Sequence, residues 1–202
     1  MTTKRAARSI GLSLLGLSTL LAPAITTGLA QAHGFTENPP SRQAVCANGA
    51  AGDCGPIQWE PQSVEGPGNF PQQGPADGHL CSADNPTFGQ LDDPRGGDWP
   101  ATNLEPGQNV QFHWKNTASH PTESYRYFIT KDDWDPNKPL TRDQLEPAPF
   151  ATVDYGGKTP GDTEVHDVRL PAGKHGKHMI FAAWEIADTD NAFYSCSDVN
   201  LG

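Results

Sequence analysis

The clearest pattern in this chain is an alternation of apolar and polar residues between positions 110 and 115. Such an alternation predicts a β-strand with one buried face. Further strands are predicted at residues 125–130, 167–170, 178–186 and 193–201. The segment 178–186 is apolar on both faces, and a single helical turn is predicted near 141–144. Several short strands without a strong helical stretch predict an all-β protein, an antiparallel β-sandwich.

Residues 33–99 differ from this pattern, because they show little periodicity and many turn signals. Groups of proline, glycine and aspartate that favour turns occur at 39–40, 66–68, 74–75 and 93–94. An irregular segment of this length is uncommon in a compact domain unless it has a function. We therefore expect this part of the chain to contribute to the functional site.

The first 32 residues have the layout of a secretory signal peptide. Three basic residues near the start precede an apolar run at 10–21, and small residues follow at 30–32. A membrane anchor is the alternative, but Pro23 and several small polar residues interrupt the segment, and no stop-transfer pattern follows. We predict that residues 1–32 are removed, which leaves a single secreted, extracellular domain at 33–202 that begins with His33.

The charge of this domain restricts its partners. The leader carries three of the fourteen Lys and Arg and none of the twenty-four Asp and Glu, so residues 33–202 have a formal net charge of −13. Binding to nucleic acid depends on basic side chains that replace counterions along the phosphates. The composition therefore argues against nucleic acid and equally against an anionic membrane. A neutral polysaccharide is compatible with it, although the charge alone does not select one.

The four cysteines lie in the predicted secreted part, at positions 46, 54, 81 and 196. An even number in an oxidising compartment predicts two disulfide bonds. Of the three possible pairings we favour Cys46–Cys54, which closes a short glycine-rich loop, and Cys81–Cys196, which ties the carboxyl-terminal end to the body. A metal site is the competing interpretation, but the chain contains no Cys-x-x-Cys spacing.

A histidine at the amino terminus has a particular capacity to bind metal. Its α-amine, with an ordinary pKa of about 7.7–8.0, and its imidazole Nδ1 can chelate the same ion. One further imidazole completes three nitrogen donors, which is an arrangement suited to tetragonal Cu(II). The predicted cleavage before His33 therefore indicates a candidate copper site.

Motifs along the whole predicted domain carry a family resemblance. After His33-Gly34 they occur in order as PSR at 40–42, QWEPQSVEG at 58–66, GPADGH at 74–79, YRYFITK at 125–131 and IADTDNAFY at 186–194. In these motifs the chain resembles the bacterial chitin-active lytic polysaccharide monooxygenases, which were first described as chitin-binding proteins. The resemblance implies an immunoglobulin- or fibronectin III-like β-sandwich, with a large irregular loop and short-helix insertion that carries much of a flat substrate face.

The resemblance also implies a copper site with one ion per chain, bound by the amine and Nδ1 of His33 and by His120. Phe193 matches an aromatic residue that keeps water from one axial side of the copper, and Ala118 a small residue that crowds the opposite side. Glu65 matches a carboxylate that orients the co-substrate and moves protons. Surface or near-copper positions of the family match Trp59, Glu60, Ser63, Thr117, Asp188 and Asn191. Trp59 stands where the family usually carries tyrosine, and Ser119 departs from a charged neighbour seen in some members.

The activity that the resemblance implies is oxidative cleavage of crystalline chitin. An external electron donor and hydrogen peroxide or oxygen would hydroxylate carbon 1 of a glycosidic bond and leave an aldonic acid end. We expect a monomer with no nucleic-acid or membrane partner. The alternatives are a chitin adhesin without turnover, the same chemistry on cellulose, and a copper carrier, which would not need a flat face around Trp59.

Overall fold

The computed structural model describes residues 1–2 and 32–202. The predicted signal peptide falls almost entirely outside the described residues. Within the described part of the chain, no helix is long and apolar enough to cross a membrane.

The described residues form nine β-strands and one short α-helix. The strands are β1 (His33–Asn38), β2 (Glu65–Pro67), β3 (Thr102–Leu104), β4 (Asn109–Ala118), β5 (Thr122–Ile129), β6 (Ala151–Lys158), β7 (Thr163–Arg169), β8 (Gly176–Ile186) and β9 (Asn191–Leu201). The helix α1 spans Arg42–Ala47, and 3₁₀ helices span Gly55–Gln58, Pro86–Leu91, Arg95–Gly97 and Arg142–Gln144. The last of these begins in a capping box formed by Thr141 and Gln144, at the position of the predicted helical turn.

The strands form two sheets that pack as a β-sandwich. One sheet has the order β1-β4-β7, and the other has the order β2-β9-β8-β5-β6. Neighbouring strands in these orders are antiparallel, as predicted, whereas β3 pairs with β9 in parallel. The all-β sandwich expected from the alternation of residues is therefore confirmed, with one short parallel pair added at its edge.

The predicted strands correspond to β4, β5, β7, β8 and β9, and β8 is buried at every position from 178 to 186. Two longer strands were not predicted. In the edge strand β6 no residue is fully buried, and its alternation of apolar and polar residues is short, because it covers only 151–155 before two glycines follow. In β1 the chain is paired with β4, but its six residues contain only one large apolar side chain, Phe35.

Strand β8 separates two hydrophobic cores. Trp184, with Trp114 and Tyr125, belongs to the core between the two sheets. Phe181, on the opposite face of β8, belongs to a second core beneath the irregular segment, together with Phe70. The irregular segment is therefore packed on the outer face of the sandwich rather than projecting from it.

Two disulfide bonds fix this arrangement. Cys46–Cys54 joins α1 to the residue that precedes the first 3₁₀ helix, and Cys81–Cys196 joins the irregular segment to β9. These are the two bonds predicted from the sequence, and no free cysteine occurs among the residues that the structure describes.

Candidate metal centre

The pairing of β1 with β4 places His33 at one end of the sandwich. His33 lies opposite Ala118 in this ladder, and its ring lies 6.2 Å from the ring of Phe193, measured between centroids. The next residue is Gly34, where a Cβ atom would lie 2.8 Å from both Asn116 Oδ1 and the ring of Trp184. Since such an approach would force a neighbour to shift, the glycine allows β1 to sit close against the core beside His33.

His120 lies just beyond the end of β4 and is held by a short hydrogen-bonded relay. Thr122 Oγ1 donates to the carbonyl oxygen of His120 at 2.9 Å and accepts from Trp184 Nε1 at 2.7 Å. Trp184 in turn packs against Phe193, with 5.3 Å between ring centroids. His33 and His120 therefore border the same buried pair of aromatic rings, although they are far apart in the sequence.

The nitrogen donors near His33 and His120 show whether a copper ion could be bound at this end of the sandwich. Among residues 1–2 and 32–202 no group of three or more His, Cys, Asp or Glu side chains could hold a metal ion. A site built on His33 and His120 must therefore take its third donor from elsewhere, and the free amine of an amino-terminal His33 is a nitrogen donor of the right kind. His120 Nε2 points to Asp188 Oδ1 at 2.9 Å, and only 8 % of the His120 side chain is exposed. The residues present fit the copper site that the sequence indicates.

Glu65 reaches the same end of the sandwich through a different ladder. In the β2–β9 pair, Glu65 lies opposite Phe193, and Asn191 Nδ2 donates to Glu65 Oε1 at 2.7 Å. The carboxylate is half-buried. Asn191 thus fixes one oxygen of Glu65 at this end of the sandwich.

The predicted surface residues lie on the irregular segment, at the end of β4, and at the turn and strand start that lead into β9. Trp59 is 82 % exposed, the largest such fraction for an aromatic residue in the described part of the chain. The segment 58–66 is attached to β1 next to the histidine, since Gly34 N donates to the carbonyl of Gln62 at 3.1 Å. Glu60 and Ser63 are half-buried, and Thr117 is exposed beside Ala118. Within residues 32–202, no side-chain hydrogen bond joins Trp59, Glu60, Ser63 or Thr117 to His33 or His120.

A buried aromatic layer lies behind the two histidines. Trp184 stacks on Tyr125 with 5.6 Å between centroids and an interplanar angle of 7°. Burial raises the pKa of Tyr125 and of Tyr127 far above the ordinary value for tyrosine. Both hydroxyl groups therefore stay protonated, and the layer presents a neutral, low-dielectric wall to the site.

Several residues that shape the site had no signal in the sequence. Thr122 and Trp184 act through the relay to His120, and Gly34 acts through its lack of a side chain. These roles depend on contacts between β1, β5 and β8, which are distant in the sequence. The motif at 186–194 could have directed attention to Asp188, but its contact with His120 required the folded chain.

Comparison with known proteins defines the class. Residues 33–199 match the family model for lytic polysaccharide mono-oxygenase, cellulose-degrading, and the chain belongs to this family. GlcNAc-binding protein A of Shewanella oneidensis is 40% identical over 190 residues, which are 94% of this chain and 40% of that protein. The chain therefore spans about two fifths of the length of this relative.

Solved structures of the family agree in fold. An AA10 lytic polysaccharide monooxygenase from Streptomyces lividans is 51% identical, with a TM-score of 0.81 over 83% of this chain and 99% of that one. The Bacillus amyloliquefaciens CBM33 protein, solved in complex with Cu(I) after photoreduction, is 38% identical, with a TM-score of 0.75 over 84% of this chain and 100% of that one. The immunoglobulin- or fibronectin-like sandwich that the resemblance implied is thus confirmed, and the cofactor of the family is copper.

Proposed function

We propose that this protein is a secreted, copper-dependent monooxygenase that cleaves glycosidic bonds in crystalline chitin by oxidising carbon 1. The observation that carries the proposal is that His33 lies opposite Ala118 and beside the ring of Phe193, with His120 two residues beyond Ala118. His33 must be the first residue for its amine to act as a donor, so the proposal includes removal of residues 1–32. The domain at 33–202 would act as one unit.

The residues of the chain divide the work at this site. His33 and His120 supply nitrogen donors, and the buried Phe193 keeps water from one side, with Ala118 crowding the other. When bound, copper supplies the redox chemistry by which one oxygen atom from hydrogen peroxide converts a C1–H bond into C1–OH, with water as the second product. If oxygen is the co-substrate, the same conversion also needs two electrons and two protons from the external donor. Glu65, fixed by Asn191, holds or moves a proton beside the reacting atoms.

The exposed surface supports a polysaccharide as substrate. A large ring such as Trp59 can stack on the C–H face of a sugar, and such a contact contributes on the order of 1 kcal/mol by analogy with aromatic pairs. Glu60, Ser63, Thr117 and Asp188 would add polar contacts around it. Chitin is favoured over cellulose by the motif at 58–66 and by the GlcNAc-binding name of the relative, and cellulose is the alternative that the family description names.

A chitin adhesin without turnover is the second candidate, because the same exposed surface would serve it. The copper-binding histidines favour the enzyme, since adhesion alone does not require them. As a monomer with many weak contacts, the domain would bind a crystal face in both cases.

The deciding experiment is mass spectrometry of soluble products released from chitin and from cellulose. The protein that begins at His33 is loaded with copper and supplied with ascorbate and peroxide. Oxidised chito-oligosaccharides with aldonic acid ends are expected, and a form with one extra residue before His33 is the matched control and should release none. If oxidised products appear from cellulose alone, the substrate is cellulose and not chitin. If neither polymer yields oxidised products, the adhesin is favoured.

A further inference from the structure

A buried ion pair lies behind the segment that carries Glu65. Arg126 on β5 donates from Nη2 to Oε1 of Glu185 on β8, and their side chains are 20% and 11% exposed. The pair borders an open cavity of about 300 Å³ that Glu123, Asp154 and Asp190 also line. Among the residues that the structure describes, Glu185 is the lining carboxylate that forms an ion pair with Arg126.

The second oxygen of Glu185 holds the neighbouring segment by its backbone. Glu185 Oε2 accepts from the N–H of Asn69 at 2.9 Å. A Cβ atom on Gly68 would lie only 2.8 Å from this oxygen and 3.1 Å from the carbonyl of Asp190. Gly68 N donates to that carbonyl at 2.8 Å. One carboxylate and one glycine thus join the segment that follows β2 to the turn between β8 and β9.

These two pieces of chain are the ones that meet at the site. Segment 65–69 begins with Glu65, and the turn that contains Asp190 leads directly into Asn191. The hydrogen bond from Asn191 Nδ2 to Glu65 Oε1 spans the two pieces. Glu185 holds the Asn69 N–H directly beside the backbone bond from Gly68 N to the carbonyl of Asp190, which joins the two pieces.

We infer that Glu185 is a positioning residue that acts on the site through Glu65 and Asn191. Stability alone is a weak reason for such a pair, because a buried ion pair often contributes little more than well-packed apolar residues of the same volume. A charged carboxylate does offer a strong acceptor for the Asn69 N–H, and Arg126 neutralises it. The catalytic part of this inference rests on the proposed function.

Two variants disturb this contact in independent ways. Glu185→Gln removes the charge with little change of size, and Gly68→Ala places a methyl group against the carboxylate while leaving the ion pair chemically intact. The matched control is Asp198→Asn, which breaks the other buried arginine–carboxylate pair, Arg42–Asp198, whose side chains are 5% and 13% exposed.

The first measurement is nuclear magnetic resonance of the side-chain amide of Asn191 in the Cu(I)-loaded protein, assigned with Asn191→Ala. Its signals should shift in Glu185→Gln and in Gly68→Ala and should stay in place in Asp198→Asn. Unmoved signals in the first two variants would overturn the inference, whatever the activity. If Glu185→Gln does not fold, Glu185→Asp decides instead, because it keeps the charge but withdraws the acceptor from the Asn69 N–H, whereas the methyl group of Gly68→Ala would also lie 3.3 Å from the backbone of Asn191.

The second measurement is the rate of oxidised product release per folded, copper-loaded molecule. Glu185→Gln should lower it about tenfold, at the lower end of the effect of residues that support metal ligands. In a Glu65→Gln background the same change should have no further effect, because both residues act through one contact. If the double variant instead lost activity by the product of the two single losses, the inference would be overturned. If the parent releases no oxidised product, the proposed function fails, and the shift of the Asn191 signals still decides whether Glu185 positions Asn191.

Discussion

Two regions of the molecule position their functional residues by different means. One is the sandwich, formed by β1 and the strands at 102–201, and the other is the irregular segment at 39–101. In the sandwich, backbone ladders do the work, since the register of β1 on β4 sets His33 opposite Ala118. In the irregular segment only the three residues of β2 form a ladder, with β9; elsewhere side chains and covalent bonds hold the segment, and Cys81–Cys196 ties it to β9. The proposed copper donors therefore rest on or beside the most regular part of the fold, and half of the proposed surface residues, including Trp59, rest on the least regular part.

Arginines show how the irregular segment holds itself without a sheet. The guanidinium carbons of Arg42 and Arg95 lie 4.7 and 4.0 Å from the ring centroid of the buried Trp99. Arg42 also donates to the carbonyl of Leu91 at 2.7 Å, and Arg95 donates to the carbonyl of Gly52 at 2.7 Å. Each arginine thus satisfies backbone carbonyls that a strand would otherwise pair, which explains how so long a segment packs with little regular structure.

The comparison predicts that chemistry and adhesion can be separated, and His120→Ala should have the largest effect. This change removes a nitrogen donor at the end of the sandwich and leaves the irregular segment untouched. Oxidised products should fall by more than the roughly 10–100-fold typical for residues that merely support a ligand. Adhesion to chitin, measured by depletion from solution, should be largely kept because it depends on many dispersed contacts.

The control for this variant is the parent protein with its copper chelated, which should behave in the same way. If His120→Ala lost adhesion together with activity, the copper site and the binding face would not be independent, and the division between the two regions would be wrong.

The two disulfide bonds test the comparison through stability. Cys81–Cys196 links the regions across a sequence separation of 115, whereas Cys46–Cys54 closes a separation of 8 within one region. In the chain-entropy model these loops correspond to about 4–5 and about 2–3 kcal/mol of unfolding free energy. Denaturant unfolding of the two double alanine variants should show the larger loss for Cys81→Ala with Cys196→Ala. Equal losses of unfolding free energy would mean that the bond between the two regions stabilises the fold no more than the bond within one region.

The same division explains what could be predicted from the sequence. Strand β4 was predictable because burial of one face imposes an apolar period on it, and β8 because burial of both faces makes it a continuous apolar run. The edge strand β6 was not predicted, since its period of two covers only 151–155, its apolar positions are only partly buried, and two glycines follow them. The hypothesis that His33 and His120 bind one metal came from the family resemblance alone, because no local pattern reports a contact between distant parts of the chain. Glu185 had no signal either, as its partners Arg126 and Asn69 are brought to it only by the fold.

A smaller effect is expected from Trp59→Ala in the irregular segment. Loss of the exposed ring should weaken binding to chitin by about fivefold, which corresponds to about 1 kcal/mol. The affinity for Cu(II), measured by calorimetry, should not change, and self-inactivation in the presence of reductant should become faster because the protein spends more time away from substrate. Trp59→Tyr keeps an aromatic ring and should bind nearly as well as the parent. If Trp59→Ala bound chitin like the parent, Trp59 would not belong to the binding face.

The smallest predicted effect concerns a histidine of the sandwich that is remote from the irregular segment. His166 on β7 is 5% exposed, and its Nδ1 lies 2.6 Å from the hydroxyl of Tyr127. That hydroxyl accepts from Trp114 Nε1 at 3.0 Å and can donate its own proton to Nδ1 of a neutral His166. Burial lowers the pKa of His166, although the nearby carboxylate of Glu164 opposes this in part.

A lowered pKa in the folded state fixes the sign of the pH dependence. Below the unfolded value of 6.5 the unfolded chain takes up a proton that folded His166 resists, so the free energy of unfolding decreases as the pH falls. The decrease continues until the folded pKa is reached, with a slope of at most about 1.4 kcal/mol per pH unit from this group. His166→Gln keeps an acceptor for Tyr127 but does not titrate. Urea unfolding between pH 7.5 and 5.5 should therefore show a shallower decline for the variant. Parallel lines would mean that His166 takes up its proton as readily in the folded sandwich as in the unfolded chain.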